Sequence, residues 1–230
     1  MKNKKQFVGQ LNTTIIFFVL FFGFFSSSYA GNPELIVTWR ADNFYPTTYV
    51  GKAIPSSGTK IYVAIEAFQD GKLLDISKSV IEWRKNRERI QQGMGQKETI
   101  VVFNENDETN FVSVSVGWNG GSLEKSITIP VAKPRLILEL PYVNGVVPKN
   151  TDIAITAMPY FFNAKSFSDL SFSWQIGALK RGTGSDNKII INTGNPSVAI
   201  DRIVTINGYI QNRRSLLEIT RTQTKMIIGE

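Results

Sequence analysis

From residue 34 onward, apolar and polar residues alternate with a period of two, and no stretch keeps an apolar stripe at helical spacing for three turns. The clearest run is Phe111-Val-Ser-Val-Ser-Val-Gly-Trp118, where Val112, Val114, Val116 and Trp118 share one face and serines fill the other. One buried face and one wet face describe a half-buried antiparallel strand. The same alternation predicts strands over Glu34–Trp39, Lys60–Phe68, Val80–Trp83, Glu98–Phe103 and Ser122–Pro130, separated by clusters of Gly, Pro, Asn and Asp. Six or seven short strands in about a hundred residues is the pattern of an Ig-type β-sandwich.

The second half repeats the first. Lys60-Ile-Tyr-Val-Ala-Ile corresponds to Asp152-Ile-Ala-Ile-Thr-Ala, and Val80-Ile-Glu-Trp83 to Ser171-Phe-Ser-Trp174. Gly93-Met-Gly-Gln-Lys-Glu-Thr-Ile-Val-Val102 likewise corresponds to Gly182-Thr-Gly-Ser-Asp-Asn-Lys-Ile-Ile-Ile191. The interval from Ile61 to Trp83 is 22 residues and that from Ile153 to Trp174 is 21, so spacing repeats along with residue type. The predicted fold is therefore all-β: two tandem Ig-like (PKD/fibronectin-like) antiparallel β-sandwiches after an N-terminal signal segment. The boundaries are 1–30 for the signal segment, 31–131 and 135–230 for the sandwiches, and 132–134 for a short joint. Pro130 just before that joint and Pro134 at its end fix φ, which predicts a stiff connection.

Gly93-Met94-Gly95 raises a choice between a phosphate-cradling loop and a turn. A phosphate loop must open a helix whose free N–H groups face the anion. Here a β-branched run follows each glycine pair, so the spacing predicts a hairpin turn with the chain re-entering the core as a strand. The upstream tryptophans, Trp83 and Trp174, are expected on the inner face of an Ig-type C strand.

The first thirty residues change the picture of compartment and charge. Lys2, Lys4 and Lys5 precede an eleven-residue apolar run, Ile15 to Phe25, and Ser28-Tyr29-Ala30 reads as a cleavage site for export. The run is shorter than the roughly 20 residues of a membrane-spanning helix, so membrane contact is expected only through this segment if it is uncleaved. The net charge of +7 falls to +4 without those three lysines, which argues against a nucleic-acid partner. The chain has no Cys and no His, which excludes disulfides, thiolate nucleophiles and imidazole bases. Export without cysteine points to a bacterial source and an extracytoplasmic site, periplasm or cell surface.

The tryptophan followed by Gly-x-Gly resembles bacterial Ig-like and PKD-like modules, although neither copy has the WDFGDG core of PKD domains. Thr38-Trp-Arg-Ala-Asp-Asn-Phe-Tyr-Pro46, Gly71-Lys-Leu-Leu-Asp-Ile-Ser77 and Pro159-Tyr-Phe-Phe-Asn163 resemble a family of exported tandem Ig-like proteins of candidate-phylum bacteria, itself uncharacterised. That resemblance implies the architecture and leaves the activity open.

Candidate chemistry is sparse. Ser122-Leu-Glu-Lys125 and Ser185-Asp-Asn187 match two pieces of the penicillin-recognising signature, but the following Lys-Thr-Gly is missing and the pieces fall in different repeats. Asn104-Glu-Asn-Asp-Glu108 is acidic and is expected to be a solvated loop rather than a calcium site. No catalytic residue, metal ligand or cofactor-binding residue is predicted. The densest unusual segment holds Trp39, Arg40, Phe44, Tyr45 and Tyr49. These form a candidate contact surface for sugar rings or a protein partner; the alternative reading has Trp39 and Phe44 closing the end of the first sandwich. The sequence thus suggests a non-enzymatic spacer, adhesion or envelope-assembly module whose partner is an envelope protein or a surface glycan. A pilus-type periplasmic chaperone acting by β-augmentation and a carbohydrate-binding module are the alternatives.

Overall fold

The alternating segments of the first half become eight strands: β1 (Glu34–Ala41), β2 (Lys60–Gln69), β3 (Lys72–Leu74), β4 (Val80–Lys85), β5 (Glu88–Met94), β6 (Glu98–Val102), β7 (Phe111–Trp118) and β8 (Gly121–Thr128). The computed structural model describes residues 31–104, 107, 109–195 and 202–229, so the expected signal segment lies outside the described residues. β2 pairs with β1 along one edge and with β6 and the short β3 along the other. The facing sheet runs β5-β4-β7-β8, all antiparallel.

Pairs of positive-φ residues make two-residue hairpins between three pairs of neighbouring strands. Asp70-Gly71 connects β2 to β3, Asn86-Arg87 connects β4 to β5, and Asn119-Gly120 connects β7 to β8, with φ between 46° and 78° at all six positions. Positive φ at both central residues matches the twist of the flanking strands.

The second half repeats this plan with β9 (Arg135–Glu139), β10 (Val146–Val147), β11 (Asp152–Tyr160), β12 (Leu170–Ile176), β13 (Leu179–Gly184), β14 (Lys188–Asn192), β15 (Ile203–Asn212) and β16 (Ile219–Ile228). Its sheets are β14-β11-β9 and β10-β16-β15-β12-β13. The edge strand β10 pairs parallel to β16; among the described residues of the first half the corresponding contact is a single bond, Ala132 N–H to the Pro55 carbonyl at 2.9 Å.

Each half has its own core. Trp83 is fully buried with Ile61, Ile81, Val114 and Phe103, and its Nε1 donates to the Gln96 carbonyl at 2.8 Å. Trp174 is buried with Ile153, Phe172, Ile206 and Met226 in the second. A bulge interrupts the ladder beside both tryptophans, leaving Ile90 and Gly182 as the extra residues. Both tryptophans therefore occupy the inner face that the sequence predicts.

The Gly93-Met94-Gly95 expectation needs correction. No helix follows it, but the segment is not a hairpin either, because β5 and β6 belong to different sheets. The three residues Gly95 to Lys97 carry the chain from one sheet across to the other. Gly95 has φ +65°, and a Cβ there would lie 2.5 Å from the Ser77 carbonyl oxygen, so the crossing requires glycine. The equivalent β13-to-β14 segment makes the same crossing in the second half.

Candidate contact surface

The five aromatic and basic residues singled out in the sequence are distributed over three environments. β1 alternates, so its neighbours Trp39 and Arg40 point to opposite faces. Trp39 packs against the first core, with the Lys52 ammonium 3.6 Å from its ring centroid. Burial against the indole holds the Lys52 amine below its usual pKa. Arg40 faces outward, its guanidinium 4.7 Å from the centroid of the Tyr62 ring.

Phe44, Tyr45 and Tyr49 lie in the long connection between β1 and β2 and turn toward the second sandwich. Phe44 donates its N–H to the Phe162 carbonyl at 2.7 Å and accepts from the Phe161 N–H at 2.7 Å, forming an isolated antiparallel bridge between the halves. Its ring packs against the second core and meets Phe167 edge-on at 4.9 Å. Tyr49 stands edge-on to Tyr160 and Phe161 at 5.8 and 5.6 Å. Tyr45 contacts Tyr49 and keeps 41% of its surface exposed. Phe161 has φ +65°, an unusual conformation for a bulky residue, and it turns the chain so that its N–H and the next carbonyl both reach Phe44. Phe44 thus closes the second sandwich, not the first.

A polar network surrounds this bridge. The Thr59 hydroxyl donates to Asn163 Oδ1, and Asn163 Nδ2 donates to the Ser57 carbonyl at 2.8 Å. Glu218 Oε1 accepts from the Asn163 N–H at 2.9 Å, and Asn212 Nδ2 donates to Glu218 Oε2 at 2.6 Å. Ser56, Thr59 and Asn212 are almost completely buried, so each hydrogen bond satisfies a group that water does not reach. Asp42 and Lys165 add an ion pair across the same junction. Among the described residues, the connection through residues 132–134 is therefore joined by these further contacts between the sandwiches.

The open surface lies beside this joint, on the outer face of β1-β2-β6. Register places Arg40, Tyr62 and Ile100 in one cross-strand row, and Thr38, Ala64 and Glu98 in the next. Tyr62 and Ile100 are 36% and 52% exposed. A groove of about 800 Å³ runs over these rows, walled by Ile90, Gln91 and Gln96 from β5 and the crossing that follows it. Of the sequence candidates only Trp39 and Arg40 line it. Tyr62 and Ile100 escaped the sequence reading, although both put a large apolar side chain at a strand position whose neighbours are buried, which was the available signal.

The remaining motifs stay apart. Ser122 is on β8 of the first sandwich and Ser185 follows β13 of the second, so no acyl-transfer constellation forms from them. Asp107 accepts from the Asn104 N–H at 2.7 Å and pairs with Lys85 at 2.9 Å; these contacts, the backbone bond foremost, hold its carboxyl below the usual range. Glu105, Asn106 and Glu108 lie outside the described residues. Among the described residues no three His, Cys, Asp or Glu side chains gather as a metal site.

No family model matches the chain, and no curated protein matches it in sequence. Among solved structures, the three N-terminal domains of the Highly Immunogenic Outer Capsid protein of bacteriophage RB49 align at 14% identity over 86% of this chain and 59% of that one, with a TM-score of 0.48. The fibronectin(III)-like modules of Clostridium thermocellum CbhA align at 13% identity over 84% and 94% of the two chains, TM-score 0.27. The ectodomain of mouse nectin-like molecule 4 aligns at 11% identity over 86% and 64%, TM-score 0.36. The chain spans about three fifths of the length of the phage structure. Identities this low concern the fold alone; the tandem Ig-like architecture itself is read from the sheets described above.

Proposed function

We propose that the protein is a non-enzymatic, exported bacterial module of the cell envelope, acting as a spacer or adhesion element that presents its surface to a protein or glycan partner. The observation that supports this reading is the joint. A backbone bridge, a buried polar network and an ion pair all act at one junction, and such a junction fixes the orientation of two sandwiches. A module that sets distance and direction needs that property more than it needs a cleft.

Between the two partner classes, protein is favoured over sugar. Sugar stacking was attributed to Trp39, Tyr45 and Tyr49, yet Lys52 covers the Trp39 ring and Tyr49 is wedged among Tyr160 and Phe161. The outer face of β1-β2-β6 offers backbone edge and apolar side chains instead.

Cross-linking in the native envelope through a photoreactive group at Tyr62 tests the reading. Recovery of one discrete envelope protein supports it. Recovery of peptidoglycan or another glycan alone restores the sugar-binding alternative. Turnover of an ester, amide or glycoside that one Ser or carboxylate substitution abolishes contradicts the non-enzymatic reading.

A further inference from the structure

We propose that the free edge of β6 is a strand-addition site, taking an extended segment of another polypeptide whose residues run acid-x-apolar-x-base. The inference stands on the ladder geometry and is independent of the spacer reading.

Two hydrogen bonds fix which backbone groups of β6 point outward. Ile65 N–H donates to Lys97 O, so residues 97, 99 and 101 turn their backbone groups toward β2. Asp42 N–H donates to Lys60 O, which turns the even residues of β2 toward β1 and away from β6. The N–H and C=O groups of Glu98, Ile100 and Val102 therefore point away from the sheet. Among the described residues none of them has a backbone partner, and β6 pairs only with β2. The Gly95-to-Lys97 crossing is too short to supply a strand of the chain's own along this edge.

One contact on that edge identifies what it accepts. Gln91 Nε2 donates to the Glu98 carbonyl at 3.3 Å, while the same amide holds Gln96 Oε1 at 2.7 Å. A primary amide thus stands, at long range, where the N–H of an added strand would donate. The edge also lacks the usual protection, since β6 has no proline, no bulge and no central charge, and carries exposed Ile100 at its middle. The groove of about 800 Å³ beside it gives room for the side chains of an extended segment.

Cross-strand pairing sets the chemistry of the occupant. In the antiparallel sense a base falls opposite Glu98, an apolar residue opposite Ile100 beside Tyr62, and an acid opposite Val102, within reach of Lys60 in the adjoining register position. No five-residue stretch of this sequence runs acid-x-apolar-x-base, so a second copy of the chain is a poorer fit than a different polypeptide.

The test uses residues 31–230 with isotope labelling and an N-acetylated probe peptide, Thr-Glu-Thr-Val-Thr-Lys-Thr, titrated to millimolar concentration. The expected result is saturable shifts largest at the amides of residues 98, 100 and 102. Ile100→Pro removes one outward N–H and leaves the β2 ladder intact, so it weakens binding at least tenfold without moving the melting temperature. Ile100→Lys provides the same readout if the proline variant fails to fold. Glu98→Lys reverses the preference toward a peptide whose Lys is replaced by Glu. Absence of saturable shifts overturns the proposal, as does equal binding of a peptide N-methylated at its Glu, Val and Lys, whose N–H groups face β6. Self-association of the chain that Ile100→Lys abolishes would overturn the choice of occupant.

Discussion

The two sandwiches share a scaffold and differ at their ends. Each buries one tryptophan beside a bulge, crosses between sheets in three residues, Gly95 to Lys97 or Ser185 to Asn187, and leaves a five-residue strand exposed on one edge with an isoleucine at its centre, Ile100 or Ile190. They diverge in the connection after the first strand. In the second sandwich that connection stays at home, where Gly145 and β10 return the chain to pair with β16. In the first it leaves, and Phe44 completes the core of the neighbour. The difference teaches that duplication supplied two equivalent cores, while the device that joins them was built from the segment each core least needs.

Deleting either tryptophan should break the equivalence most severely. Trp83→Ala and Trp174→Ala are each expected to destabilise their own sandwich by roughly 3–5 kcal/mol, because a large buried ring leaves a cavity. Hydrogen exchange resolved by residue should show protection lost in 61–116 for the first variant and in 153–210 for the second. Trp83→Phe keeps most of the ring volume and should cost less, with about 1 kcal/mol of its loss coming from the missing bond to Gln96 O.

The joint sharpens the comparison. Asn163→Ala leaves the buried Thr59 hydroxyl and the Ser57 carbonyl short of partners, which is expected to cost about 1–3 kcal/mol. Phe44→Ala is expected to cost about 1 kcal/mol by exposing half-buried ring area. Its effect should appear in the exchange of the second sandwich although the residue lies in the first. A loss confined to the first sandwich would contradict the assignment of Phe44 to its neighbour's core.

Acid should affect both sandwiches alike, and least. Asp75 is held below the usual carboxylate range first by the Ser77 N–H, Asp107 by that of Asn104, and Asp169 by that of Lys165, with Arg214 assisting Asp169. A depressed folded pKa adds stability that is complete above the unfolded value, about 3.9, and is lost as the pH falls through the folded one. The melting temperature should therefore be level from about pH 5 to 8, where no His titrates, and fall below about pH 4.

Much of the fold was legible because alternation is a local signal. The predicted runs at Lys60–Phe68 and Phe111–Trp118 match β2 and β7 to within a residue, and the Asp70-Gly71 and Asn119-Gly120 pairs mark their hairpins. β5 was missed because Arg89, Gln91 and Gln92 put polar side chains on both of its faces, and such an edge strand reads as loop. The glycine segment was misread because a hairpin and a sheet crossing look alike locally; only the partner of the following strand separates them. Phe44 presents the same difficulty at larger scale. An aromatic residue announces burial, but which core it enters depends on a fold 118 residues away, at Phe162.

The central claim is that Phe44, Asn163 and Glu218 hold the two sandwiches in one orientation. Residual dipolar couplings measured for residues 31–230 test it most directly. The account requires a single alignment tensor that fits both sandwiches, with two tensors appearing in Phe44→Ala combined with Asn163→Ala. Two different tensors in the unaltered chain would contradict it.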